Sequence, residues 1–216
     1  LQATEGLPVD VRLMIPRCVP ATPLDEAGAN LDYRAIDSFF EHPRVQGLAE
    51  MMNYPGIIGG DGDTVAKIVA SQAHHKKIDG HAPGLTGQAL NAYIAAGVYS
   101  DHECADLDNA MEKLRLGQFI MIREGTAAKN LEALLPLLGE KTYARCMFCT
   151  DDKHPSDLLN HGHIDEIARR AVALGADPIR VVQVACHHAA RYFLLNTRGA
   201  IAPGYLADLA VVDNLT

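Results

Sequence analysis

The sequence predicts an α/β fold on parallel strands, and two observations carry that prediction. Short apolar stretches recur at residues 9–15, 45–49, 77–80, 98–100, 118–122 and 145–150. Between them, at 31–41, 64–75, 86–96, 106–116 and 127–138, apolar residues fall three to four apart as on one face of a helix. The strand-like stretches do not alternate polar with apolar, so both of their faces are covered, as in a parallel sheet flanked by helices. Such a sheet is either open and doubly wound or closed into a barrel. An open sheet that binds nucleotides usually carries a glycine-rich turn after its first strand, and none follows residues 9–15. Gly59-Gly60-Asp61-Gly62 comes after Pro55 rather than a strand and lacks a phosphate-binding Lys, so it reads as a surface turn leading into the helix at Thr64.

Past the sixth stretch two helices are expected, 155–174 and 178–195, the second opened by Asp177 as N-cap with Pro178 at its first position. The chain then changes character. Residues 198–204 are rich in Gly and Pro, and 207–212 form a new strand candidate, so 198–216 reads as the start of a separate small β module after a main domain of 1–197.

The 216 residues are 48% hydrophobic, which suits a folded unit with a real core. Lys and Arg total 19 against 27 Asp and Glu; the net charge of −8 repels a phosphate backbone, no basic cluster offsets it, and no nucleic acid partner is expected. No apolar run approaches the roughly 20 residues that span a bilayer. Residues 1–10 lack the layout of a signal peptide, so the expectation is a cytoplasmic protein with no membrane partner. Five cysteines (Cys18, Cys104, Cys146, Cys149, Cys186) are an odd number in a chain large enough to fold without staples, which favours reduced thiols. Cys146 and Cys149 form a C-x-x-C, but residues three apart on a strand face opposite sides, which favours a structural role over a redox or zinc one.

Ionisable residues stand at the strand ends. Glu50 ends 45–49, His81 ends the third stretch, His102 follows Asp101, and Asp151 ends 145–150. In a parallel barrel the C-terminal strand ends converge on one rim, where barrel enzymes place their sites. Imidazole with carboxylate suits Zn, Mn or Fe, and such a site lowers the pKa of water. A single His or Asp after a strand is ordinarily a cap or loop residue. Four in succession at the same end of their strands make that ordinary reading much weaker and leave a metal site on equal terms with it.

The segments Cys18-Val-Pro-Ala-Thr-Pro-Leu24, Gly47-Leu-Ala-Glu-Met-Met-Asn53, Asp79-Gly-His-Ala-Pro-Gly84, Ser100-Asp-His-Glu103, Met121-Ile-Arg-Glu-Gly125 and Cys149-Thr-Asp-Asp-Lys-His-Pro155 together resemble the adenine deaminases of the amidohydrolase superfamily. Ala202-Pro-Gly-Tyr-Leu-Ala-Asp-Leu209 is similar to the segment by which that superfamily returns from its barrel to a small β domain. The resemblance implies a (β/α)8 TIM-type barrel, incomplete here at about strands 3 to 8, so that 1–197 is a partial barrel and 198–216 the return segment. It implies hydrolysis of adenine, a small-molecule purine substrate, to hypoxanthine and ammonia, as in purine salvage, with two divalent metal ions, Mn or Fe, Zn being the further option. Glu50 falls where many relatives carry a bridging carboxylated lysine. His81 and His102 match the fifth- and sixth-strand ligands, and Asp151 matches the eighth-strand aspartate that also accepts the proton of the attacking water.

Glu103 is the choice for the acid that protonates or orients the ring, set against its reading as a helix-start carboxylate. With His102 and Asp151 it makes up the expected catalytic group. Arg123 and Glu124 end the seventh strand, where they either contact the purine or pair with each other; His154 is the second candidate for substrate contact. The superfamily's His-x-His pair at the end of the first barrel strand has no counterpart ahead of Val9, so the sequence is expected to begin part-way into the barrel. His161-Gly-His163 has that spacing but lies after the last strand, where a turn or cap role is expected. His187 and His188 stand where the family usually carries an apolar-Asn pair and read as packing or surface residues. A homo-oligomer is compatible with the sequence. Two rivals remain: a dihydropyrimidinase-like amidohydrolase, which would need lysine at Glu50, and a non-catalytic metal-binding fragment with open sheet edges.

Overall fold

A computed structural model of the chain describes residues 1–20 and 25–215. The end of the Cys18 motif, residues 21–24, lies outside the described residues. The chain divides into two compact units, Leu1–Asp101 and His102–Thr216.

In the first unit β1 (Leu13–Ile15), α1 (Tyr33–Asp37), β2 (Val45–Met51), α2 (Tyr54–Gly59), α3 (Gly62–Ala73), β3 (Lys77–Gly80), α4 (Gly87–Ala95) and β4 (Ser100–Asp101) follow one another. Strands β1, β2 and β3 pair in that order and all in parallel, with Leu13 opposite Val45 and Leu48 opposite Ile78. Val45, Leu48, Met51 and Ile78 are buried together with Ile36, Phe40, Ile68 and Tyr93 from the helices and turns around them. The expected parallel α/β arrangement is present. Gly47 makes the β2–β3 approach possible, since a Cβ there would lie 2.1 Å from the Lys77 carbonyl oxygen. The Gly59–Gly62 turn does lead into α3: Gly60 is left-handed at φ 73°, and the Asp61 side chain caps α3 by accepting from Thr64 N at 2.9 Å. Ahead of it stands the short α2, unexpected from the sequence, which Asn53 caps by accepting from Gly56 N at 3.0 Å.

The second unit carries α5 (Leu107–Arg115), β5 (Phe119–Arg123), α6 (Leu131–Leu134), β6 (Cys146–Cys149), α7 (Pro155–Asn160), α8 (Ile164–Ala173), α9 (Pro178–Val182) and α10 (Ala189–Tyr192). Strands β5 and β6 are parallel, Ile120 opposite Cys146 through Arg123 opposite Cys149. Ile120, Ile122, Cys146 and Phe148 face Leu131, Leu134, Ile167 and Val184, whereas Met121 and Met147 face Tyr192. The two cysteines of the C-x-x-C thus lie on opposite faces, Cys146 in the first cluster and Cys149 against the second. Burial pushes the Cys146 thiol up to about 12, which suits packing.

Several expected elements change at their edges. The helix expected over 127–138 begins only at Leu131 and tightens to a 3-10 turn at Leu135–Leu138, because residues 124–129 close a turn bridged between Glu124 and Lys129. The helix expected over 155–174 is two helices, separated where Gly162 takes φ 114°, a conformation a helix cannot contain. The helix expected over 178–195 holds a π-helical stretch at Gln183–His188. Residues 207–212 form no strand: Leu209, Val211 and Val212 are exposed, and no neighbouring strand takes up their backbone groups. No helix among the described residues is long and apolar enough to cross a membrane.

Candidate active site

In the first unit Glu50 lies inside β2, one residue short of its end, and His81 directly follows β3. A single phenol ties those two strand ends together. Tyr93 Oη, brought in by α4, donates to the Met51 carbonyl at 2.8 Å and accepts from His81 N at 2.9 Å. Burial holds that phenol well above its ordinary pKa, so it stays a donor. Asp101 adds a second tie by accepting from Ala82 N at 2.7 Å, and Ser100 Oγ accepts from Gly80 N at 3.1 Å. Thus held, Glu50 Oε2 lies 3.2 Å from His81 Nδ1.

In the second unit His102, Glu103 and Asp151 each present a donor atom within 4.8 Å of the others. His102 is buried; its Nε2 is 3.4 Å from Glu103 Oε1. Arg123, the last residue of β5, donates through Nη1 to both Glu103 and Asp151, the latter at 2.7 Å. Burial alone would lower the guanidinium; the hydrogen bonds and charges of Glu103 and then Asp151 outweigh it and hold it above its usual value. Asn130 sets this corner: its Oδ1 accepts from Arg123 N at 2.6 Å and its Nδ2 donates to the Cys104 carbonyl at 3.0 Å. Asp151 has left the strand and takes φ 50°, a left-handed conformation that Asp tolerates better than most residues. One imidazole and two carboxylates at this spacing are a donor set that fits a divalent cation of the Zn, Mn or Fe kind.

A model of the amidohydrolase family matches residues 1–216. The chain belongs to the amidohydrolase family. Members of this family share a TIM-barrel-like α/β fold and generally use divalent metals, and the parallel sheets and donor clusters of this chain accord with both. Over its whole length this amidohydrolase chain is 52% identical to a protein named adenine deaminase from Kosmotoga olearia, covering 37% of that protein. It is also 52% identical to one of the same name from Desulfatibacillum aliphaticivorans, covering 38%, and 48% identical to another from Nitratidesulfovibrio vulgaris Hildenborough, covering 38%. The chain therefore spans less than two fifths of the length of these curated relatives.

The remaining candidates of the amidohydrolase chain sort by contact. Arg123 and Glu124 do not pair with each other. Successive residues point to opposite sides of a strand, so Arg123 turns to Glu103 and Asp151 while buried Glu124 accepts from Arg170 at 2.6 Å and from Leu131 N at 3.0 Å. His154 is exposed at the start of α7, its backbone N donating to Thr126 Oγ1 at 2.7 Å. His161 and His163 flank the break between α7 and α8, as a turn role requires. His188 is a packing residue with a specific bond: it is buried, and its Nδ1 meets the Cys146 carbonyl at 3.0 Å. Tyr93, Asn130 and Asp152 escaped the sequence reading because no spacing marks them. Only the cross-chain hydrogen bonds do.

Proposed function

We propose that this chain supplies the central part of a site for hydrolytic deamination of adenine to hypoxanthine and ammonia, with Glu50, His81, His102 and Asp151 as ligands to two divalent metal ions, Mn or Fe. The observation that carries this reading is the gathering of His102, Glu103 and Asp151 around one point, in a chain about half identical throughout to proteins named adenine deaminase. We read residues 1–197 as strands 3 to 8 of an incomplete barrel and 198–216 as its return segment. The substrate is a small purine in the cytoplasm.

A bound divalent cation would lower the pKa of water so that a nucleophile is available near neutral pH. The chain's own residues do the rest. Asp151 takes the proton released as water adds to C6 of adenine and delivers it to the amino group, which leaves as ammonia. Glu103, next to ligand His102, orients and protonates the ring nitrogen that gains electron density during the addition, and it takes back the C6 hydroxyl proton as the carbonyl forms and ammonia leaves. Arg123 holds both carboxylates in place by donating to each through its guanidinium.

The test is ammonia release by the Mn- or Fe-loaded enzyme, with this chain in its full coding context, from adenine, cytosine and dihydrouracil. Release from adenine alone is expected, with a loss of about 10²-fold or more in kcat for Asp151→Asn. Turnover of dihydrouracil alone would overturn the adenine reading in favour of a dihydropyrimidinase-like enzyme. Folded protein with no bound metal and no turnover would favour a non-catalytic fragment.

A further inference from the structure

We propose that Asp152 is a positioning residue, a carboxylate that clamps the turn after β5 to the segment after β6 and so fixes where Asp151 points; this rests on the reading of Asp151 as ligand and base. Two successive backbone N–H groups converge on one side chain. Thr126 N donates to Asp152 Oδ1 at 3.1 Å and Ala127 N to Oδ2 at 3.0 Å, so both carboxylate oxygens are engaged. The turn has no room to spare beneath them: a Cβ on Gly125 would lie 1.6 Å from Asp152 Oδ1 and 2.8 Å from the Thr150 carbonyl oxygen. Glycine is therefore required at 125 by the clamp itself.

The lacing continues on both sides. Glu124 N donates to the Cys149 carbonyl at 3.0 Å ahead of the clamp. Beyond it Thr126 Oγ1 accepts from His154 N at 2.7 Å and donates to Asp157 Oδ2 at 2.5 Å. The stretch 149–154 is thus tied to 124–126 before and after residue 151. Asp151, held at φ 50°, turns its own carboxylate the other way, onto Arg123 and toward His102. The adjacent pair Asp151-Asp152 divides the work between them. One carboxylate serves the site, and the other serves the scaffold that aims it.

The test follows Mn²⁺ binding by electron paramagnetic resonance, and amide hydrogen exchange at Thr126 and Ala127, in the full chain carrying Asp152→Ala or Asp152→Asn. Slow exchange of these two surface amides is expected in the unsubstituted protein and fast exchange in Asp152→Ala. Mn²⁺ affinity should fall about tenfold or more in Asp152→Ala, the scale of an outer-shell partner's loss, and by less in Asp152→Asn, which keeps one acceptor oxygen of the two and leaves the other N–H without its acceptor. Undiminished Mn²⁺ affinity in folded Asp152→Ala would overturn the proposal. So would fast exchange of the two amides in the unsubstituted protein, a measurement that decides even where the alanine variant fails to fold. Slow exchange in a protein that binds no Mn²⁺ would instead remove the metal reading and leave the clamp standing as structure alone.

Discussion

Arg123 shows how much of the site rests on one side chain. Its guanidinium is the cation between Glu103 and Asp151, so Arg123→Gln leaves two carboxylates near each other with nothing between them. We expect a loss of about 2 kcal/mol in urea unfolding at neutral pH, the scale of hydrogen bonds to charged groups. Divalent cation should restore part of it, because a cation bound through His102 and Asp151 neutralises one of the two carboxylates. The sequence made the positions of His81, His102 and Asp151 legible, since each follows an apolar stretch at a strand end. It left Arg123 and Glu124 undivided, because which of two neighbours faces the site depends on strand register. Tyr93, Asn130 and Asp152 were out of reach for a related reason. Each acts through a hydrogen bond to backbone distant in sequence, and nothing in its local surroundings distinguishes it from an ordinary helix or loop residue.

At the scale of elements, apolar periodicity located all six strands described, while their edges moved by up to four residues. Burial pattern fixes the middle of a strand, whereas hydrogen bonding from a neighbour fixes its end; Glu50 consequently sits within β2 although the apolar run stops before it. Helix ends followed local chemistry more closely where a cap was present. Asp106 accepts from Asn109 N at 2.8 Å and Asp177 from Arg180 N at 3.0 Å, at the starts expected for α5 and α9. The two breaks that escaped notice, at Gly162 and in the π-helical stretch at Gln183–His188, leave the apolar spacing intact and so leave no trace in it. The β2–β3 pairing carries the sharpest element-scale prediction. Gly47→Ala places a methyl group against the Lys77 carbonyl in the middle of that ladder. It should lower unfolding stability by about 3 kcal/mol or prevent folding of the first unit, as a thermal melt or the loss of slow amide exchange at Leu48 and Ile78 would record.

For the molecule as a whole, acid stability depends on a histidine buried in the second unit. Burial, then the charges of His187 and Arg191, hold His188 below its ordinary pKa, against the hydrogen bonds it makes to the backbone of Cys146 and Tyr143. Its folded pKa is depressed, so the unfolded chain accepts a proton that the folded chain refuses as pH falls below about 6.5. The urea midpoint should therefore decline from there down to the folded pKa and then level off with respect to this group. In His188→Gln that part of the decline should vanish, and equal slopes for the two proteins between pH 7 and 5 would refute the assignment.

Residues 201–215 have a different consequence for the whole molecule. Ile201 and Val211 are 89% and 98% exposed, with Leu209 and Val212 beside them in the sequence, on a chain whose net charge is −8. In dilute buffer mutual repulsion keeps such molecules apart. At physiological ionic strength that repulsion fades beyond about 8 Å, and the greasy strip is left to govern how molecules meet. Sulfate should accordingly drive this protein out of solution sooner than its acidity alone would indicate, by strengthening the strip's avoidance of water.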